Sequence, residues 1–365
     1  MLSDILCSGT AYGRNKRALG QYFTRNDVWL KPHIIDFISM TGASTAYDPF
    51  AGNGDLLQQV LGIGNVSKIK GLDIDRTLPW EYNDSLINIP PVADAIIVTN
   101  PPYLTNYSAK RMNLQQTVKQ YFKNSKYDDV YQIALNNCLN TCGYVVALIP
   151  ETFINSSFQK NRVHNITVLE DNPFFDTENP ICVVCFDDVK KEQDKILVYK
   201  NGSFISRLSD LERQRLEPNN SVKMRFNDLS GRIAIRAVDT TDPQKPIEFM
   251  LDNELDYDRR GIKESSRLIT LVSIKHYNDR KLRDIVEQSN AILKLYRENT
   301  ADILLSPFKG NTKSGIRRRR LDYKTARAIL EKAINAVDGH IENEQTELDV
   351  KIFTESAILR TAFTS

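Results

Sequence analysis

The tetrapeptide Asn100-Pro-Pro-Tyr103 follows directly on the apolar run Ala95-Ile-Ile-Val-Thr99. Two prolines fix the backbone as it leaves a buried strand: each locks its own φ, and each holds the residue before it extended. The Asn100 side chain and the Pro101 carbonyl can then point at one spot. Both are acceptors, and an aromatic amine carries two N–H donors. Holding both donors makes the amine nitrogen more tetrahedral and frees its lone pair to attack a methyl group. Pro102 completes the rigid exit, and Tyr103 offers a ring for stacking on a base drawn out of a duplex.

Three further groups sit at the ends of apolar runs. Asp48-Pro-Phe-Ala-Gly-Asn-Gly-Asp55 is a glycine turn after Ser44-Thr-Ala-Tyr-Asp48. Glycines let the backbone approach a ligand closely. The spacing is neither Gly-x-Gly-x-x-Gly nor a phosphate loop, which needs a Lys after its last Gly. Flanking acids suit a cationic or zwitterionic ligand better than a pyrophosphate, and a sulfonium with an amino-acid tail fits. In Gly71-Leu-Asp73-Ile-Asp75 an acid ends a strand roughly 20 residues later, where a carboxylate accepts both ribose hydroxyls in other nucleotide-binding α/β folds. Asp73, which ends the run, is preferred to Asp75. Asp84, in the polar turn Asn83-Asp84-Ser85, could accept from an adenine amine.

The elements that must position these residues alternate. Short apolar runs such as Lys68–Asp73, Asp94–Asn100, Gly143–Pro150, Asn165–Leu169 and Ile181–Phe186 are separated by stretches with helical spacing at Val28–Met40, Asp55–Leu61 and Asp128–Leu139. That order predicts a mostly parallel sheet covered by helices, with its ligands beyond the carboxyl ends of the strands. The polar stretch Asp187–Lys195 predicts a domain boundary, which divides the chain into 1–190 and 191–365. Beyond it, Ile196–Ile205 reads as a hairpin with Asn-Gly at its turn. Gly231–Val238 reads as a strand, and Asp279–Tyr296 and Leu321–Val337 as helices.

The formal net charge is only +2. Its distribution is uneven: Lys200 to Arg327 carries 27 Lys and Arg against 18 Asp and Glu, and the tail from Ala328 carries 3 against 7. A basic second domain is what a polyanion attracts. Arg317-Arg-Arg-Arg320, after a polar loop containing Lys313, is expected to contact DNA phosphates, with one Arg able to read a guanine edge. The alternative is a solvated face at the start of the Leu321 helix.

In combination and in order, the first half of the chain resembles the class I DNA amino-methyltransferases, particularly the TaqI-like gamma group. Gly20-Gln-Tyr-Phe-Thr24 resembles the first cofactor element of that family, so Tyr22 and Thr24 would contact the methionine end. Asp48 to Asp55 resembles its glycine-turn motif, with Asp48, Phe50, Gly52 and Gly54 as cofactor contacts. Asp73 resembles its ribose acid, Asp84 its adenine-contacting acid, and Asn100 to Tyr103 its catalytic motif, with Asn100 also near the cofactor. Asn172-Pro-Phe-Phe-Asp-Thr-Glu-Asn179 resembles a later element whose aromatic helps hold the flipped base: Phe174 or Phe175, with Phe175 preferred. Arg25 stands where the family often has Pro.

The resemblance implies a Rossmann-like, doubly wound α/β domain that binds S-adenosyl-L-methionine, followed by an α+β target-recognition domain. It implies methyl transfer to N6 of adenine in duplex DNA, in a restriction–modification setting with a cognate restriction endonuclease as a partner. The rivals are the same chemistry on RNA adenine, on cytosine N4 or on a protein glutamine, and a non-catalytic DNA-binding specificity partner. Cytosine enzymes more often carry Ser in place of Asn100, and in the glutamine enzymes the extra domain typically precedes the cofactor core.

Cys138, Cys142, Cys182 and Cys185 have a spacing that could suggest zinc. Cys182 and Cys185, however, lie three apart in an apolar run and face opposite sides of a strand, so buried thiols and no metal are expected. The absence of a long apolar run and of a secretory pattern at the start predicts a cytoplasmic protein without a membrane span.

Overall fold

A computed structural model of the chain describes residues 28–111, 115–123, 125–174, 178–258, 261–262, 268–274 and 277–339. The chain divides into two units between Ser209 and Asp210.

The first unit is built on a nine-stranded sheet. Its strands are β1 (Thr45–Asp48), β2 (Lys68–Asp73), β3 (Glu81–Tyr82), β4 (Ala95–Thr99), β5 (Tyr144–Pro150), β6 (Val163–Val168), β7 (Ile181–Phe186), β8 (Leu197–Lys200) and β9 (Ser203–Arg207), in the order β3-β2-β1-β4-β5-β7-β6-β8-β9. Strands β3, β2, β1, β4 and β5 pair in parallel. β7 inserts antiparallel between β5 and β6, and β9 runs antiparallel to β8. This is the mostly parallel α/β sheet that the alternating pattern predicts. All six residues of β7 are buried, as are the last four of β4. A strand covered on both faces needs such an unbroken apolar run.

The chain winds outward from β1 through β2 to β3, then returns to lay β4 and β5 on the other side of β1. The switch point therefore lies between β1 and β4, where crevices open in doubly wound sheets. Helix α1 (Pro32–Met40) starts with Pro at its first turn and buries Ile34, Phe37 and Ile38, the spacing of one helical face. These join Trp29, Ala46, Ile96, Val98 and Val146 in one core cluster. Helix α2 (Asp55–Val60) follows the glycine turn. Helices α3 (Asn106–Arg111), α4 (Gln115–Phe122) and α5 (Val130–Thr141) occupy the connection from β4 to β5. The Asp129 side chain caps α5 by accepting from Tyr131 N.

The division falls later than the expected boundary at residue 190. The Asn201-Gly202 hairpin of β8 and β9 extends the first sheet, because β8 pairs with β6. Helix α6 (Leu208–Arg213) spans the division.

The second unit is α+β. β10 (Met224–Phe226), β11 (Ile233–Arg236), β12 (Glu248–Leu251) and β13 (Ile269–Ile274) form an antiparallel sheet in the order β10-β13-β11-β12. Helix α7 (Asp279–Thr300) docks on β12 through Asn290, whose amide accepts from Phe249 N and donates to Phe249 O, at 2.9 and 2.8 Å. β14 (Ser306–Asn311) and β15 (Arg317–Arg320) make a hairpin, and α8 (Tyr323–Asp338) packs against α7. Asp322 caps α8, and Gly339, at φ +74°, ends it.

Candidate active site

The carboxyl ends of β1, β2 and β4 converge on one cleft. Asp48, at the end of β1, is 2% exposed. Its Oδ1 accepts from Phe50 N at 2.9 Å and from the Thr99 hydroxyl at 2.6 Å. The turn that follows needs glycine: Gly52 has φ +52° and Gly54 φ +84°, and Gly54 is the N-cap of α2. Asp73, at the end of β2, accepts from Gly52 N through Oδ2 and from Asp75 N through Oδ1, both at 2.8 Å. One carboxylate thus holds the glycine turn in place. Each of its oxygens has capacity for a second donor. Asp75 accepts from the Thr77 backbone and hydroxyl.

Trp80 is the residue that sequence reading missed. Its indole Nε1 donates to Gly52 O at 2.8 Å. A Cβ on Gly54 would lie 2.6 Å from its ring, and one on Gly71 would lie 2.5 Å away. The indole therefore fills the space that two glycines leave empty. Only the tryptophan–glycine pairing could have signalled this, and it joins residues that are distant in sequence.

Burial pushes the Asp48 carboxyl up to about 7, against the lowering hydrogen bonds from Thr99 and Phe50. Burial also raises Asp73. Two carboxylates that are costly to ionise stand in one crevice, and a cation placed there would stabilise both ionised forms.

Part of the cleft wall is apolar, formed by Leu78, Leu86, Leu104, Val118 and Val130. Asp84 stands there, accepting from the Tyr121 hydroxyl at 2.8 Å through Oδ2 and from Leu86 N at 3.2 Å through Oδ1. Tyr121, on α4, carried no sequence signal. Asn83 orders the same turn by donating to Ser85 Oγ and to Asn88 O.

Asn100 and Pro102 line the same cleft, while Pro101 is buried. Tyr103 is half-buried against the core. Its ring lies edge-on to Tyr131 and tilted against Phe174, each at 6.5 Å between centroids. Its hydroxyl meets Leu148 O at 2.7 Å and the Asn100 side chain. Phe174 is 2% exposed and belongs to the core. Of the expected site residues, Asp48, Phe50, Gly52, Asp73, Asp84, Asn100 and Pro102 come together, and Gly54 caps the adjoining helix. Tyr22, Thr24 and Phe175 lie outside the described residues.

The arginine run needs correction. It forms strand β15, and its side chains alternate in burial: Arg317 is 2% and Arg319 0% exposed. Successive strand residues face opposite ways, so these two cannot meet a phosphate at the surface. Arg318 is half-buried, donates from Nε to Asp239 O at 2.7 Å and lies over the Phe308 ring. Arg320 is half-buried, and Lys313 is exposed in the hairpin turn. Asp239 anchors the backbone of this strand. It takes two hydrogen bonds from Arg297, at 2.9 and 3.0 Å, together with Arg319 N and Ile247 N.

Cys138, Cys142, Cys182 and Cys185 are free thiols, three of them buried. Among the described residues no cluster of His, Cys, Asp and Glu could hold a metal ion, and no helix is long and apolar enough to cross a membrane.

No protein-family model and no curated protein matches this chain. Solved structures do. The methyltransferase subunit of a type I restriction–modification system from Streptococcus thermophilus is 14% identical over 53% of this chain and 53% of its own, with a TM-score of 0.37. The M protein of the type I restriction enzyme EcoKI is 13% identical over 98% and 76%, with a TM-score of 0.35. The type IIG restriction endonuclease BpuSI is 17% identical over 55% and 29%, with a TM-score of 0.36. The chain thus spans about half of the Streptococcus subunit and less of BpuSI. At these values the likenesses carry no argument about activity, which has to be read from the site.

Proposed function

We propose that this chain is an S-adenosylmethionine-dependent DNA methyltransferase acting on the N6 amine of adenine, of the TaqI-like gamma group and of restriction–modification type. One observation carries the reading. An acid-flanked glycine turn, a strand-end acid and Asn100 stand on three adjacent strand ends around a single cleft.

The residues present fit that cofactor. Asp48, Phe50, Gly52 and Gly54 form the turn for its amino-acid and sulfonium end, with Tyr22 and Thr24 proposed beside them. Asp73 accepts the ribose hydroxyls. Asp84, steadied by Tyr121, accepts the adenine amine beside the apolar wall of the cleft. S-adenosylmethionine supplies an electrophilic methyl group. The Asn100 side chain and the Pro101 carbonyl accept the two N–H donors of the target amine and aim its lone pair. Tyr103, with Phe175, supports the ring of the flipped base. Proximity and orientation provide the rate, and the amine proton leaves afterwards to water.

The second unit is proposed to recognise duplex DNA, with Lys313, Arg318 and Arg320 nearest its phosphates and a cognate restriction endonuclease acting on the same site. The test is methyl transfer from labelled cofactor to unmethylated DNA, followed by nucleoside analysis.

A further inference from the structure

The tyrosine of the tetrapeptide does something that its ring alone cannot. Its hydroxyl lies between two groups that both carry an oxygen toward it: Leu148 O at 2.7 Å, and the Asn100 side-chain amide. A phenol has one proton. The Leu148 carbonyl has none to give, so the phenol donates there, and its oxygen is left as an acceptor toward Asn100. Only the amide nitrogen of Asn100 can donate to it. The oxygen and nitrogen of an asparagine amide are nearly alike in shape, and the hydrogen-bond network decides which is which. The structure sets Oδ1 of Asn100 toward the phenol; exchanging the two amide atoms satisfies both contacts, with the nitrogen toward Tyr103 and the oxygen away from it.

We propose that the Tyr103 hydroxyl is a positioning group: it reads the fixed Leu148 carbonyl of β5 and sets the Asn100 amide with its oxygen, not its nitrogen, available to the amine in the cleft. The inference rests on the methyltransferase reading. The opposite orientation would aim N–H at N–H and repel the target. Leu148 is a reliable reference point because β5 lies between β4 and β7, paired on both sides. Strand β4 delivers Asn100 and β5 delivers the carbonyl, so the relay ties two adjacent strands through one phenol. A ring that only stacked would need no such partner.

The test is Tyr103→Phe, which keeps the ring and removes the hydroxyl. The expected result is a fall in the single-turnover methyl-transfer rate on the order of 10-fold or more, since misorientation of a reacting group is costly. Cofactor and DNA dissociation constants should stay within about 2-fold, because uniform binding is untouched. An unchanged rate would overturn the proposal. A second readout does not depend on turnover: the Asn100 side-chain NH₂ resonance, identified by its loss in Asn100→Ala. Its protons should exchange with solvent more slowly in the wild type than in Tyr103→Phe, and equal exchange would also overturn the proposal. If the wild-type protein methylates no DNA yet shows the protected amide, the positioning geometry stands and the methyltransferase reading fails.

Discussion

The Thr99 hydroxyl donates to the Asp48 carboxylate at 2.6 Å across 51 residues of sequence, which joins the ends of β1 and β4 at the switch point of the sheet. The strand that delivers Asn100 is thereby fastened to the strand that delivers the glycine turn. The bond also makes Asp48 an internal probe of the crevice.

Asp48 titrates near 7 when folded, against an ordinary 3.8, because burial disfavours its charge. The folded state therefore holds a proton that the unfolded chain has released. Its contribution to stability is complete below about pH 4 and is lost as pH rises toward 7, by up to about 4 kcal/mol. Asp48→Asn removes this loss while keeping an acceptor for Thr99. Urea unfolding of both proteins between pH 4.5 and 7.5 should show the variant gaining on the wild type as pH rises, and parallel curves would refute the assignment.

Asp73 holds two backbone N–H groups and is proposed to hold the ribose. Asp73→Asn sets an NH₂ against one of those donors. Cofactor affinity by calorimetry should fall by about 10- to 100-fold, the scale of hydrogen bonds to a charged group. An unaltered affinity would take Asp73 out of the cofactor site.

Gly71→Ala tests Trp80. The added methyl would lie 2.5 Å from the indole and 2.7 Å from Ala51 Cβ. Overpacking of this kind costs about 1–3 kcal/mol, so thermal unfolding should shift down and cofactor binding should weaken with it. A stable variant that binds normally would mean that the indole yields freely.

The second unit separates charge from scaffold. Lys313→Ala should leave stability unchanged and lower the slope of log Kobs against log salt for DNA by about 0.9. Arg319→Ala should destabilise the unit instead, since it empties the site of a fully buried side chain. A normal slope for Lys313→Ala would remove the hairpin turn from the interface.

Much of the first unit was legible in the sequence. Acids and turns close apolar runs there, and a parallel sheet gathers strand ends whatever their distance along the chain. Asp48, Asp73 and Asn100 could be placed together on that ground alone. Trp80 and Tyr121 could not. Trp80 sits in a segment without periodicity, Tyr121 shares a helical face with Val118 and reads as core, and each acts through a contact that only the fold creates. Residues 317–320 misled because four like charges read as a solvated or DNA-facing surface, whereas strand alternation turns two of them inward. The boundary near 190 misled because a polar stretch can be a loop within one sheet as readily as a linker between two units.

The most direct test is transfer of labelled methyl from S-adenosylmethionine to unmethylated genomic DNA by the wild-type protein and by Asn100→Ala, with nucleoside analysis and sequencing. N6-methyladenine confined to one short motif, made by the wild type and lost in a variant that still binds cofactor, is the predicted result. Label in RNA or protein but not in DNA, or undiminished transfer by Asn100→Ala, would contradict the account.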